Sequence, residues 1–322
     1  MTVIAAPSSA SAGDALAAGS RSLERLRSER EREAIAARLV RAAANKSYDP
    51  DVDIAWPDHV TDDRYFLAPH RVSLYGTALW GRMSEAQRIA LSRHEIASMA
   101  QAGVWFELIL SQLLIRFIYD EDYISQHTRW ALTEIADECR HSMMFARLVD
   151  VLAGHEHRPE PLTIFLGRFL KTIGNPVEGF ADILIAEEIL DMIQREAMVD
   201  QSIQPLIRAV SQLHVTEEAR HVKFAREELE RRVSRMNRAQ LLRARTIVAI
   251  SGVVVTDALV RPSCYAAVGL NVREAQEVAR RSRHRNETLR WSASKLTAFF
   301  TDIGLIAGPA RRIWARAGLL PA

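Results

Sequence analysis

Apolar positions along residues 85–235 recur at the three- and four-residue spacing of helix faces, in long runs separated by short breaks. The pattern predicts helices over about 85–118, 126–153, 177–199 and 204–235, lengths that suit a bundle. Ser84-Glu-Ala-Gln87 has the form of a capping box, and Asn237-Arg-Ala-Gln240 and Asn271-Val-Arg-Glu274 offer similar starts. Gly154, Pro159 and Pro161 separate one helix pair from the next, and Gly174-Asn175-Pro176 makes another break. No segment alternates with period two between hairpin turns, so the chain reads as all-α.

Outside this central stretch the pattern weakens. Residues 1–20 are rich in Ala, Ser and Gly and are expected to form a disordered tail, with residues 21–322 as a single all-α domain. From Arg21 to Arg41 seven arginines and four glutamates surround a narrow apolar stripe, which predicts a solvated, charged helix. Residues 46–70, with Pro50, Pro57 and Pro69, predict a long irregular segment lying over the body.

Composition then excludes several functions. Across 322 residues, 42 Lys and Arg stand against 40 Asp and Glu, a formal charge of +2 that argues against a nucleic-acid partner. Two cysteines, Cys139 and Cys264, cannot build a disulfide framework or a cysteine zinc site. The uncharged apolar stretch Thr246–Thr256 is eleven residues, short of the roughly 20 needed to span a bilayer. No basic segment followed by an apolar run marks the N-terminus as a secretory signal, so a cytoplasmic chain with no membrane partner is expected. Residues 271–322 carry ten Lys and Arg against four acids, which reads as a solvated face more readily than as a dock for an acidic protein.

The chemistry lies in acids placed where leucines belong. Glu107 sits inside Val104-Trp-Phe-Glu-Leu-Ile-Leu110, and Glu187 and Glu188 sit inside Ile183-Leu-Ile-Ala-Glu-Glu-Ile-Leu190. A carboxylate on an apolar helix face is costly unless a partner compensates it. Two further segments supply partners: Glu138-Cys-Arg-His141 and Glu218-Ala-Arg-His221 each place a carboxylate and an imidazole on one helix face. The separations repeat, with 31 residues from Glu107 to Glu138 and 31 from Glu187 to Glu218. Each half is thus a helical hairpin with one lone acid and one Glu/His pair; helical position does not separate Glu187 from Glu188. Four carboxylates and two histidines on four helices form the ligand set of a ferritin-like bundle holding two metal ions. Oxygen donors with imidazole suit iron, with manganese as a substitute. His214, one turn before Glu218, points the same way, a position that by itself suits a supporting group better than a ligand.

With these residues in view, the sequence resembles the AurF-type diiron oxygenases, the p-aminobenzoate N-oxygenase family. The resemblance covers about residues 85–235, and its most specific element is Leu213-His-Val-Thr-Glu-Glu-Ala-Arg-His221, which carries a third histidine. It implies a ferritin-like four-helix bundle with additional N- and C-terminal helices. It also implies metal ligation by Glu107, Glu138, His141, Glu187, His214, Glu218 and His221, and it favours Glu187 over Glu188. Metal-bound imidazoles usually donate their second N–H to a carboxylate. Asp137 and Glu217 are placed to receive such a bond from the histidine of the opposite half, although the family tends to have Asp where Glu217 stands. Glu134 faces the cluster as well, while His94, Glu95 and Glu196 read as ordinary helix residues and Cys139 as packed rather than reactive.

The implied function is O₂ activation by two iron ions, with an amine N-oxygenated through a peroxo-diiron intermediate. Electrons would come from an external donor, and a homodimer is expected. Acyl-chain hydroxylation or desaturation is an alternative on the same metal site, and iron storage or ferroxidase activity is an alternative of another class. No cation occurs among Ser98-Met-Ala-Gln-Ala-Gly103, so this stretch offers no clamp for a substrate carboxylate. Leu184, Ile189 and Met192 suggest an apolar pocket.

Overall fold

The computed structural model describes residues 12–321, apart from 155–156, 158–160, 162–163, 166–167, 170–171 and 173. Helix α1 (Ala12–Asn45) begins inside the segment expected to be disordered, and residues 1–11 lie outside the described residues. Its first turns are rich in alanine, which lacks bulk but has the highest helix propensity of any residue. A composition poor in large side chains therefore reads as a tail and yet forms a helix.

Four long helices make the bundle: α4 (Glu85–Ile118), α5 (Gln126–Ala153), α6 (Pro176–Ala197) and α7 (Pro205–Val233). All four start within about two residues of the expected positions, because each start carries a local signal. Ser84 caps α4 with the reciprocal Gln87 bond of a capping box. The Gly174-Asn175-Pro176 break restarts as α6 because Asn175 accepts from the Val177 and Glu178 amides while Glu178 accepts from the Asn175 amide. Gly154, in the left-handed region at φ 64°, ends α5. Helix α4 packs chiefly on α5, and α6 on α7, so each half is a hairpin; the halves meet through α4 with α6 and α5 with α7.

The core is continuous through all four helices and includes Leu114, Trp130, Met144, Leu184 and Ile189. The segment 46–70 is mostly irregular, as expected. It contains the short α2 (Pro50–Asp53) and then turns inward, burying Phe66, Leu67 and Ala68, with the Phe66 amide donating to Ser92 Oγ at 3.1 Å. Among the described residues the β-type pairing is a single isolated parallel bridge between Tyr65 and Ile203. Beyond the bundle, α8 (Arg238–Leu259) lies against α6 and α4. Short helices from Pro262 to Arg316 follow it, and Trp314 of the last is fully buried. Gly252 of α8 makes this closure possible, since a Cβ there would stand 3.1 Å from the Trp314 ring.

Two stretches, Glu85–Ile118 and Arg238–Ala267, are long and apolar enough to cross a membrane by length and composition. In these windows 50% and 61% of the residues are buried inside the fold, which accounts for their apolarity as core helices.

Because α6 is set by its cap, Asn175→Ala is expected to destabilise the protein by about 1 kcal/mol. The measurement is a lowered urea midpoint at unchanged denaturant slope.

Candidate metal centre

The bundle brings all seven expected ligands together at its centre. Glu107 comes from α4, Glu138 and His141 from α5, Glu187 from α6, and His214, Glu218 and His221 from α7, each at most 2% exposed. Their donor atoms fall into three overlapping groups whose members lie within 4.8 Å of one another and could hold metal ions. The first is Glu138, His141, Glu218 and His221; the others are Glu107, His141 and His214, and Glu187, His214 and Glu218.

The three imidazoles share one orientation principle. His141 turns Nδ1 toward Glu138 Oε2 at 3.1 Å and Glu218 Oε1 at 3.2 Å, with Nε2 3.0 Å from Glu217 Oε2. His221 mirrors it, with Nδ1 3.0 Å from Glu218 Oε1 and Nε2 3.3 Å from Asp137 Oδ2. Asp137 and Glu217 therefore each take the histidine of the opposite hairpin. An Nε2–H donated outward leaves the Nδ1 lone pair facing the carboxylates, as a metal requires. His214 is inverted: Nδ1 lies 2.8 Å from Gln194 Oε1, and Nε2 points to Glu107 Oε1 at 3.3 Å. An amide oxygen only accepts, so Gln194 holds the proton on Nδ1 and leaves the Nε2 lone pair inward. Sequence reading missed Gln194; its signal is a position two turns after Glu187, on the same helix face.

Outside the imidazoles a ring of charge closes the centre. Arg140 pairs with Asp137, and Arg220 lies 3.6 Å from Asp137 Oδ2 and 3.5 Å from Glu217 Oε1. The arginine of each E-x-R-H segment thus neutralises the acids that orient the histidines. The Tyr48 amide also donates to Glu217 Oε1 at 3.3 Å, tying the irregular segment to the site.

Inside the ring, protein groups leave the carboxylates short of partners. Glu107 Oε2, Glu187 Oε2 and Glu218 Oε2 are buried with no hydrogen-bond partner. Burial, followed by the nearby carboxylates, holds Glu107 and Glu187 well above the usual range. Burial opposes charge on His141 and His221 too, yet contacts to Glu138, Glu217, Glu218 and Asp137 raise both well above an ordinary imidazole. His214 is pushed down to about 3, by burial first and then by His141. Unsatisfied oxygens and inward nitrogen lone pairs, with no thiolate, are a donor set that iron or manganese fits.

Neighbouring acids sort themselves by contact. Glu188 binds Arg226, with Oε1 2.7 Å from Nε, and so belongs to a peripheral ion pair rather than to the cluster. Glu134 is buried 1% exposed, neither oxygen has a hydrogen-bond partner, and burial pushes its carboxyl up to about 8. Glu196 pairs with Arg71 at 2.7 Å, an ordinary role. His94 and Glu95, read as ordinary helix residues, are buried and paired inside the fold. His94 meets His157 at 3.3 Å, and Glu95 is fully buried and accepts from the Ser73 amide at 3.0 Å. Cys139 is exposed, where packing was expected, because the face of α5 opposite the ligands turns to solvent.

Beside Glu187 opens a narrow, partly open pocket walled by Trp105, Phe106, Ile109, Ile183 and Val254. It uses Ile183 and Ala186 rather than Leu184 and Ile189, which are fully buried in the core. Among the described residues none that lines it is cationic.

Two outcomes are expected of the donor set. Glu187→Gln, Glu138→Ala and Glu218→Ala should each bind markedly less iron than the unaltered protein by elemental analysis, while Glu188→Gln should bind as much; equal loading in all four would defeat the assignment. Metal uptake should also release protons, because in the metal-free site Glu107, Glu187, His141 and His221 retain them. Affinity should therefore rise with pH. Calorimetry in two buffers of different ionisation enthalpy measures the release directly, and zero release would contradict the charge state.

The wider comparisons agree with this geometry. A family model described as P-aminobenzoate N-oxygenase AurF matches residues 29–304. The uncharacterized proteins Rv0885 of Mycobacterium tuberculosis and Mb0909 of Mycobacterium bovis are each 30% identical over 212 residues, 63% of this chain and 62% of theirs. The chain thus spans less than two thirds of the length of these curated relatives. Since the family match extends over most of the sequence and includes every residue of the buried cluster, the chain belongs to the AurF family.

Proposed function

We propose that the protein is a diiron oxygenase that N-oxygenates an amine, with Glu107, Glu138, His141, Glu187, His214, Glu218 and His221 holding the two iron ions. The observation that carries the reading is His214, whose inward Nε2 lone pair is held by the Gln194 contact at 2.8 Å. A third imidazole adds a neutral nitrogen donor to a carboxylate-rich set. The chemistry supplied by the bound metal pair is activation of O₂ with electrons from an external donor. The chain's own part is positional: Asp137, Glu217 and Gln194 keep three ring protons outward, and the apolar cavity keeps water from the substrate nitrogen. Trp105 and Phe106 offer aromatic faces to an aromatic ring. With no cation among the described lining residues, amines without a carboxylate suit the cavity better than aminobenzoic acids.

The same apolar walls would admit an acyl chain, so the assay includes both classes. Iron-loaded, chemically reduced protein is exposed to O₂ with a panel of arylamines and fatty acyl substrates, and single-turnover products are identified by mass spectrometry. Hydroxylamine or more oxidised nitrogen products are expected. Oxidised acyl chains with every amine untouched would retire N-oxygenation and leave the metal assignment standing.

A further inference from the structure

One polar pair in the substrate cavity has no part in the metal centre. Asp182 of α6 and Ser251 of α8 line the cavity that Glu187 borders. Asp182 Oδ1 and Ser251 Oγ are both buried, and beyond the contact of the Ser251 hydroxyl with the Asp182 carboxyl neither has a hydrogen-bond partner; Ser251 is 3% exposed. Unpaired buried polar atoms are destabilising, and most find a partner in a native fold. Two of them facing one apolar cavity mark a place where a ligand atom completes the set.

The charge of that ligand follows from what surrounds the carboxyl. Burial pushes Asp182 up to about 7; the Ser251 hydroxyl tempers the rise and the Glu178 carboxylate adds to it. The charged neighbour that bears on it is therefore an acid, itself paired with Arg243 at 3.3 Å. A cationic donor in the cavity is the partner that would hold Asp182 in its charged form. Five residues separate Asp182 from Glu187 on α6, about 7.5 Å of helix rise, which suits an aromatic ring with a substituent at each end. Leu113 and Ile183 line both this cavity and an adjoining one that opens beside Arg116 and Asp120, giving the ligand a way in.

We propose that Asp182 and Ser251 form a recognition site for an ammonium group at the far end of the substrate, so that the preferred substrates are aromatic diamines whose second amine is aliphatic and charged. The inference rests on the N-oxygenase reading for what happens at the Glu187 end, but the recognition itself is a binding property. Asp182 would accept the charged hydrogen bond, and Ser251 Oγ would accept a second from the same ammonium.

The test is anaerobic calorimetry on iron-loaded protein with three probes of similar shape: 4-aminobenzylamine, p-toluidine and 4-aminobenzoate. The benzylamine is expected to bind roughly tenfold or more tightly than p-toluidine, the value of a charge-assisted hydrogen bond, with the benzoate weakest. Asp182→Asn should abolish that preference while p-toluidine affinity and iron content stay unchanged, and Ser251→Ala should narrow it. Equal affinity of the unaltered protein for benzylamine and toluidine would overturn the proposal without any variant, as would a preference that survives Asp182→Asn. Turnover measured separately keeps the two readings apart. A cationic preference in a protein that oxidises no amine removes the N-oxygenase reading and keeps the site, and amine oxidation without that preference does the reverse.

Discussion

Four carboxylates and three imidazoles share a buried interior, and each needs its opposite charge within a few ångströms. Everything else in the bundle answers that demand. A buried carboxylate without a partner is far more costly than an apolar residue in its place, so the cluster is tolerable only as far as its charges are matched. The outer arginines Arg140 and Arg220 neutralise Asp137 and Glu217, and those acids fix His141 and His221. The oxygens left over at Glu107, Glu187 and Glu218 are the share that a cation would satisfy. The packing of each hairpin serves this arrangement, since a lone acid on one helix is useful only when it meets the Glu/His pair of its neighbour.

The third histidine breaks the symmetry of the two halves. His141 and His221 lean on acids, whereas His214 leans on a neutral amide and lies against the Phe145 ring, 4.8 Å between centroids. Phe145 in turn crowds Gly103, where a Cβ would stand 3.0 Å from its ring. Gly103 of α4 and Phe145 of α5 thus confine the His214 ring. The lack of a side chain at Gly103 lets an aromatic ring close on an imidazole.

Much of this was legible in the sequence because it is local. Ser84 and Asn237 announce helix starts through contacts three residues away, and the 31-residue repeat exposes two hairpins built alike. What resisted reading depends on helix neighbours that no local pattern names. Glu187 and Glu188 stand side by side in one apolar run, and the Arg226 contact that removes Glu188 comes from another helix. Glu95 read as an ordinary helix residue, and Gln194 and Asp182 drew no notice, since their surroundings are supplied by the segment around Ser73, by α7 and by α8 respectively. Cys139 failed in the other direction: its helix is covered on one face and open on the other.

Helix α8 stands outside the four helices that carry the donor cluster, yet Ser251, Val254 and Val255 form a wall of the cavity beside Glu187. The bundle interior is intolerant, because a change there disturbs charge, orientation and packing together. The α8 wall touches none of the seven clustered residues' hydrogen bonds described above. Relatives could therefore diverge in what they admit by exchanging a few side chains on this one helix while inheriting the buried cluster intact. In such a fold, specialisation proceeds from the rim inward and stops at Glu187.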